Sequence, residues 1–464
     1  MNLGPDGTWT PEEMKRAQAL AAVLRERSSA PLLAARAPGR VNLIGEHTDY
    51  SNLPVLPAAI DRSTVVVAAR RRDGVVSATN INSWFTARAF ELRNQIAPFE
   101  AGDWGNYIKA AAQGLVTYSR ALGRRTNLKG IDLIVDGQVP VAAGLSSSAA
   151  LTVALTLAMA AVNEIETQQL ELAQLAARSE RYVGTMAGGM DQAASVLGRR
   201  DHALFIEFDP LRALPVRIAT DAVLVVADSL ERADKSGKLR AEYNRRVVEC
   251  AVAARLIGKA LGFSNIRVLG DVVRLNPARS SDEWIAVLDD CVNTTVDGLE
   301  EAARLLEVSP SGLRADLFGS GAKRDAIEHP ARLKIRERAR HVFREMARVH
   351  RAIAALRRGD LETMGELMNE SHLSLALDFE VSTERLNRMV ACARSAGGLG
   401  ARLTGAGFGG SILALCRPSK VAEVIEALDK GFYARIGVFD PRAVRGVFRA
   451  SSGASVIELS EGSA

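Results

Sequence analysis

One stretch constrains the fold more than any other: residues 140–150, PVAAGLSSSAA, lie between a strand-like segment and a long apolar run. Residues 130–136 alternate in polarity, which predicts a strand, and residues 149–163 are nearly all apolar, which predicts a buried helix. A small-residue loop that opens a helix presents free backbone N–H groups and a positive dipole end to an anion. The stretch therefore predicts an anion site, with a plain serine helix cap as the simpler interpretation.

The chemistry of this loop points to a phosphate chain. Its small residues allow a phosphate chain to approach the backbone closely. Three consecutive serines add hydroxyl donors and one possible Mg²⁺ ligand. It is not a Walker A loop, because the G-x-x-x-x-G-K-[ST] pattern is absent and no lysine stands in it.

Size and composition narrow the class of protein. The 464 residues suggest two or three cores, and 47% hydrophobic with 24% charged residues is typical of a folded globular protein. The net charge of +5 suits either nucleic acid or an anionic substrate, but the basic run at residues 332–351 is more typical of a solvated helix face.

Four scattered cysteines suggest neither a disulfide framework nor a zinc site. The most apolar run, 149–162, is too short to span a bilayer, so we expect a cytoplasmic protein.

A second segment, APGRVNLIGEHTDY at residues 37–50, concentrates polar side chains of both donor and acceptor type. Arg40, Glu46, His47 and Asp49 fall close together in a predicted strand and turn. Because each sugar hydroxyl both donates and accepts a hydrogen bond, such a cluster suits a ligand dense in hydroxyls. A lone histidine would more often be structural, and the cluster of four favours the binding interpretation.

Two further segments contain glycines that shape backbone. Residues 403–410, LTGAGFGG, fit backbone lying against a phosphate or against another loop. Gly188 and Gly189 precede Asp191, whose carboxylate could face a substrate hydroxyl or simply cap a helix.

The pattern along the chain predicts an α+β protein with two lobes that divide near residues 210–230. Strands and helices alternate in the first half, and long helical patterns occupy residues 238–261 and 332–368 before the apolar strand 411–416. We predict a helical extension over residues 1–30, an N-terminal sugar- and ATP-binding domain over 31–220, and a C-terminal domain over 221–464.

Three glycine-bearing segments, at residues 37–50, 140–150 and 403–410, resemble in their order and spacing the three motifs of the GHMP small-molecule kinases. The first of them, through GRVNLIGEHTDY, resembles the galactokinase branch. The resemblance runs from about Ala35 to about Cys416 and includes residues 242–246, 365–372 and 378–382. It implies an N-terminal lobe like ribosomal protein S5 domain 2, a ferredoxin-like C-terminal lobe with added helices, and transfer of a phosphoryl group from ATP to the anomeric hydroxyl of galactose.

The resemblance also implies roles for individual residues. Asp191 would be the catalytic base and Arg40 would stabilise the transferred group. The sugar would be bound by Glu46, His47, Asp49 and Tyr243. The nucleotide would be bound by Trp104 and by the loop residues Ala142, Ala143, Gly144, Leu145, Ser146, Ser147 and Ser148. Mg²⁺ would be held by Ser148 and Glu180. The implied partners are MgATP and a small sugar, with neither nucleic acid nor membrane, and we expect a monomer.

Four departures leave alternatives open. Residues 51–54, SNLP, stand where many galactokinases have Asn-x-Gly, and Gly188–Gly189 resembles the N-acetylgalactosamine kinase branch. The spacing from Glu180 to Asp191 is one residue shorter than in many galactokinases, and Ser411 stands where cysteine is common. An N-acetylgalactosamine kinase, or a regulator that binds sugar and ATP without turnover, are therefore the competing hypotheses.

Overall fold

The computed structural model describes residues 9–123, 128–184, 186–232, 237–292, 296–318, 332–438 and 440–459. Its strands are β1 Leu32–Ile44, β2 Leu56–Arg70, β3 Val75–Asn80, β4 Arg88–Glu91, β5 Ile131–Gly137, β6 His202–Glu207, β7 Arg212–Arg217, β8 Val223–Asp228, β9 Gly400–Thr404, β10 Ser411–Cys416, β11 Arg445–Phe448 and β12 Ser455–Leu459. Its α-helices are α1 Pro11–Arg25, α2 Gly105–Ala121, α3 Ser147–Val162, α4 Gln169–Glu180, α5 Met190–Leu197, α6 Gly237–Ala260, α7 Leu269–Leu275, α8 Ser281–Cys291, α9 Gly298–Leu306, α10 Pro310–Phe318, α11 Ile335–Arg358, α12 Leu361–Leu377, α13 Glu384–Ser395 and α14 Val421–Leu428.

The first lobe is built on a six-stranded sheet in the order β12-β1-β2-β5-β3-β4, in which only the β3–β5 pair is parallel among the described strands. Residues of β2 alternate between the two faces: Val65 and Val67 pack in a cluster with α1, whereas Val66 and Ala68 pack with α2, α3 and α4. Both faces are therefore covered, which explains why residues 65–69 of β2 form a continuous apolar run.

The second lobe contains a four-stranded antiparallel sheet in the order β11-β8-β10-β9. Helices α6, α8, α11, α13 and α14 contribute to its core with the inner residues of β8, β9 and β10. A separate apolar cluster joins β1 and β2 to β8, β10, α11 and α12 across the two lobes. This shared core holds the lobes against each other, so groups from both can form one site.

The structure differs from the predicted organisation at three points. Strand β12 pairs with β1, so the end of the chain returns to the first sheet although residues 221–464 were assigned to the C-terminal domain. The helical pattern at 332–368 is two helices, because Gly359 adopts a φ of 71° and Asp360 caps the next helix through Thr363 N. On α11, Arg348 is buried and paired with Glu345 rather than solvated. The rest of the predicted domain division stays a prediction.

Among the described residues, no helix combines the length and apolarity needed to cross a membrane. All four cysteines carry free thiols.

Candidate active site

The loop between β5 and α3 has the irregular backbone that its composition predicts. Ala142, Gly144 and Ser146 all have positive φ, at 58°, 75° and 59°. A side chain on Gly144 would place its Cβ 2.7 Å from the Thr404 carbonyl oxygen, so glycine permits the close contact with the third glycine-bearing segment. Two of the three predicted segments are therefore packed together.

The loop divides its side chains between the core and a cavity. Ala143 and Leu145 are buried in the apolar cluster between the lobes and do not face the cavity. The cavity, of about 220 Å³, is lined instead by the loop residues Ala142, Gly144, Ser146, Ser147 and Ser148. If the loop holds phosphates, Ala143 and Leu145 can contribute only backbone groups.

Trp104 lies on the wall of the same cavity. Its indole Nε1 donates a hydrogen bond to the Thr86 carbonyl oxygen at 2.8 Å, and its ring is 5.8 Å from that of Phe85. Phe85 and Tyr107 also line the cavity and were missed by the sequence analysis, since nothing in their local pattern distinguishes them from packing residues. The aromatic wall suits a flat base.

Asp191, the second residue of α5, is the point at which the predicted segments meet. Its Oδ1 lies 2.8 Å from Arg40 Nε and 2.7 Å from Arg40 Nη2, and its Oδ2 accepts a hydrogen bond from Ser146 Oγ at 2.6 Å. Arg40 also donates from Nη1 to the Gly144 carbonyl oxygen at 2.6 Å. The carboxylate is thus held between a guanidinium and the serine loop, and 12% of its side chain is exposed.

Burial and neighbouring charges shift the pKa of Arg40 in opposite directions. Burial alone would lower the pKa of this guanidinium, but attraction from Asp191 and Glu46 outweighs it and the pKa is raised. Arg40 therefore keeps a positive charge at the centre of the site.

The turn after β1 forms a second, smaller cavity beside Asp191. The four residues predicted to bind a sugar all line it: Glu46, His47, Asp49 and Tyr243. The described residues that line both cavities include Arg40 and Ala406. The two cavities therefore adjoin at the arginine that holds Asp191.

Glu46 and His47 tie this turn to the third glycine-bearing segment. Glu46 Oε1 accepts a hydrogen bond from Gly405 N at 2.6 Å and lies 3.8 Å from Arg402 Nη1. His47 Nε2 lies 3.1 Å from the Ala406 carbonyl oxygen, and its Nδ1 lies 3.1 Å from the Tyr50 hydroxyl. Burial raises the pKa of Glu46, although Arg402 and Arg40 oppose that shift. Both residues hold the turn together as well as lining the cavity.

Asp49 carries a buried carboxyl whose pKa is also raised. Burial, reinforced by the negative charge of Asp191, raises its pKa from 3.8 to about 6. Its Oδ2 accepts a long hydrogen bond from Met190 N at 3.4 Å. Burial also raises the pKa of Tyr243, whose ring is 5.7 Å from that of His47, so this phenol stays protonated and able to donate.

The two residues expected to hold Mg²⁺ occupy different surroundings. Ser148 lines the larger cavity, whereas Glu180 is buried and accepts a hydrogen bond from Gln192, the neighbour of Asp191. Both supply the hard oxygen atoms that Mg²⁺ prefers, and a carboxylate has lone pairs beyond those used by one donor. The donor chemistry of these residues therefore fits the ion.

Sequence reasoning missed two polar residues beneath the turn. Arg402 on β9 is fully buried and donates from Nη1 to the Asn42 carbonyl oxygen at 2.8 Å. Glu345 on α11 accepts hydrogen bonds from Gly45 N at 2.8 Å and Ser371 Oγ at 2.6 Å. Neither belongs to a local motif, so only the fold relates them to residues 40–50.

A two-lobed α+β fold, with a glycine- and serine-bearing loop at a helix N-terminus and an arginine-held aspartate beside it, defines a small-molecule kinase of the GHMP type. The family models described as "GHMP kinases N terminal domain", "GHMP kinases C terminal" and "Galactokinase galactose-binding signature" match residues 106–199, 352–434 and 25–70. A galactokinase of Dictyostelium discoideum is 33% identical, covering 91% of this chain and 88% of its own, and one of Chloroflexus aurantiacus is 38% identical, covering 88% and 90%. The chain belongs to the galactokinase family of the GHMP kinases.

Solved structures agree with this assignment. The crystal structure of Lactococcus lactis galactokinase complexed with galactose matches with a TM-score of 0.75 at 26% identity, covering 96% of this chain and 99% of that one. Methanococcus jannaschii mevalonate kinase matches with a TM-score of 0.53 at 17% identity, which extends the likeness of fold to a mevalonate kinase. The family is one of phosphotransferases that use ATP as co-substrate.

Proposed function

We propose that this chain transfers the γ-phosphoryl group of ATP to the anomeric hydroxyl of galactose, giving α-galactose 1-phosphate and ADP. The observation that carries the proposal is the position of Asp191, which is bonded to Arg40 and Ser146 where the two cavities adjoin. A group at that point can reach an acceptor in the smaller cavity and a phosphate in the larger one. The galactose-binding signature over residues 25–70 supports the choice of sugar.

Asp191 and Arg40 have different roles in the proposed reaction. The anomeric oxygen forms a bond to the γ-phosphorus while the bond from that phosphorus to the β–γ bridging oxygen breaks, and the hydroxyl proton passes to the Asp191 carboxylate. Arg40 offsets the negative charge that gathers around the transferred group. Because phosphoryl transfer has a loose transition state, positioning and charge stabilisation matter more than a strong base.

The remaining predicted residues bind and orient. The hydroxyls of the sugar would be recognised by Glu46, His47, Asp49 and Tyr243, which line the smaller cavity. The backbone N–H groups of the serine loop and the N-terminus of α3 favour the triphosphate. Ser148 and Glu180 would hold Mg²⁺, which when bound neutralises charge on the β- and γ-phosphate oxygens.

The direct test is ADP release measured with MgATP and a panel of hexoses and N-acetylhexosamines. We expect turnover with galactose and little with the others, and we expect Asp191→Ala to abolish it while ATP binding by calorimetry persists. Preferential turnover of N-acetylgalactosamine would show instead that the acetamido sugar is the substrate. Tight binding of galactose and ATP with no ADP release would identify a regulator instead of an enzyme.

A further inference from the structure

A third cavity is lined in part by residues 181–184 and 186–188, which lead into α5. It has a volume of about 830 Å³, within the range of small-molecule sites, and it does not include Asp191 or the serine loop. We call it the arginine cavity because Arg181, Arg240, Arg255 and Arg267 line it. Neither the proposed reaction nor the predicted motifs use these four residues.

The charge of the arginine cavity is unbalanced. Among the described lining residues, Asp316 is the one carboxylate, and four arginines line the same cavity. Its Oδ2 lies 2.6 Å from Arg255 Nη2 and 2.8 Å from Arg267 Nη1. A single carboxylate shared by two arginines leaves the cavity net positive, which attracts an anion.

Two of the arginines have hydrogen-bond donors to offer. Within the described part of the chain, Arg240 donates only to the Val183 carbonyl oxygen, at 3.4 Å, and Arg267 contacts only Asp316 through its guanidinium. A guanidinium carries five N–H donors in a fork that matches a phosphate group. Arg255 is more fully committed, since it also donates to the Ala251 and Arg267 carbonyl oxygens.

The rest of the cavity wall contains both apolar and polar side chains, with Val247, Val248 and Leu317 among the apolar residues. Asn52 and Asn244 also line it. An inorganic ion would leave this apolar wall uncovered, whereas a phosphate attached to an organic body would cover it.

The arginine cavity shares a wall with the smaller cavity beside Asp191. Ala187 lines both, and a Cβ on the adjacent Gly188 would lie 2.4 Å from the Tyr50 backbone nitrogen, so this stretch packs tightly on the sugar-binding turn. Tyr50 also lines the arginine cavity, and its hydroxyl lies 3.1 Å from His47 Nδ1. A ligand here would touch Tyr50, which contacts His47, and Gly188, which lies three residues before Asp191.

We propose that the arginine cavity is a second binding site, for a small organic phosphate ester, with Arg240 and Arg267 binding the phosphate. The site is distinct from the one that binds the substrates. Sugar phosphates and nucleoside monophosphates share the required chemistry, and the choice between them depends on which body fits the apolar wall.

The test is calorimetric titration of the whole chain with its substrate cavities filled by saturating galactose and a non-hydrolysable ATP analogue with Mg²⁺. Glucose 6-phosphate, AMP and inorganic phosphate are titrated separately. We expect one molar equivalent of at least one organic ester to bind, more tightly than inorganic phosphate. Because no turnover is involved, this result does not depend on whether the proposed kinase activity is correct.

Variants locate the binding. The double variant Arg240→Gln/Arg267→Gln should weaken binding about tenfold or more, and Arg267→Gln alone, at a side chain that is 57% exposed, should weaken it by less. Arg351→Gln is the matched control, because its side chain is 59% exposed and lies outside the arginine cavity. Absence of binding for all three probes, or equal affinity in the double variant and the control, would overturn the proposal.

Discussion

Asp49 allows a stability prediction whose magnitude follows from the structure. Its carboxyl has a pKa of about 6 in the folded chain against 3.8 for an ordinary aspartate, because it is buried beside Asp191. At about 1.4 kcal/mol per unit, a difference of roughly two units corresponds to about 3 kcal/mol by which ionised Asp49 destabilises the fold. Asp49→Asn keeps the shape and removes the charge, so we expect the variant to be more stable than the wild type by up to about 3 kcal/mol at pH 8.

The sign of the effect with pH follows from proton binding. Between pH 3.8 and about 6 the folded state holds the Asp49 proton more tightly than the unfolded state, so wild-type stability from this group falls as pH rises through that window. The full cost is present above about pH 6 and is absent well below pH 3.8. The advantage of the asparagine variant should therefore shrink to about 1 kcal/mol at pH 4.5.

The assay is differential scanning calorimetry of both proteins without ligands at pH 8 and pH 4.5. For a chain of this length, 3 kcal/mol corresponds to a rise in Tm of about 3 °C. Asp290→Asn, at an exposed position on α8, is the control and should leave Tm unchanged. Equal Tm values for wild type and Asp49→Asn at pH 8, or a difference that is the same at both pH values, would refute the reasoning. The gain in stability should come with weaker galactose binding, since the ionised acceptor is lost.

The remaining predictions concern catalysis. Arg40→Ala should lower kcat by a factor of about 100 or more while changing the KM for galactose much less, because its charge acts mainly in the transition state; steady-state kinetics showing a change confined to KM would contradict this. Ser146→Ala removes a charge-assisted hydrogen bond of 2.6 Å to Asp191 and should lower kcat by about tenfold to a hundredfold, whereas Ser395→Ala, on α13 and outside both cavities, should have little effect. Glu180→Gln should raise the Mg²⁺ concentration needed for half-maximal rate; an unchanged Mg²⁺ titration curve would remove Glu180 as a ligand.

Features set by neighbouring residues along the chain were predicted well, whereas features set by distant partners were not. The apolar run at 149–163 predicted α3 within two residues, because burial on all sides leaves an unmistakable composition. The positions of β5 and β10 were also predicted closely, since apolar runs bounded by turns are local signals. Strand β12 was missed as a member of the first sheet, because pairing with a partner about 420 residues away leaves no mark in its own five residues.

The same division holds for the site. The sequence by itself determined which residues are available: glycines that permit positive φ in the loops, serines at a helix start, and the cluster of Arg40, Glu46, His47 and Asp49. Only the tertiary structure decided which of them meet, through contacts such as Ser146 to Asp191, 45 residues apart, and Glu46 to Gly405, 359 residues apart. The physical reason is that backbone conformation is set by neighbours along the chain, whereas these contacts exist because a shared apolar core holds two lobes face to face.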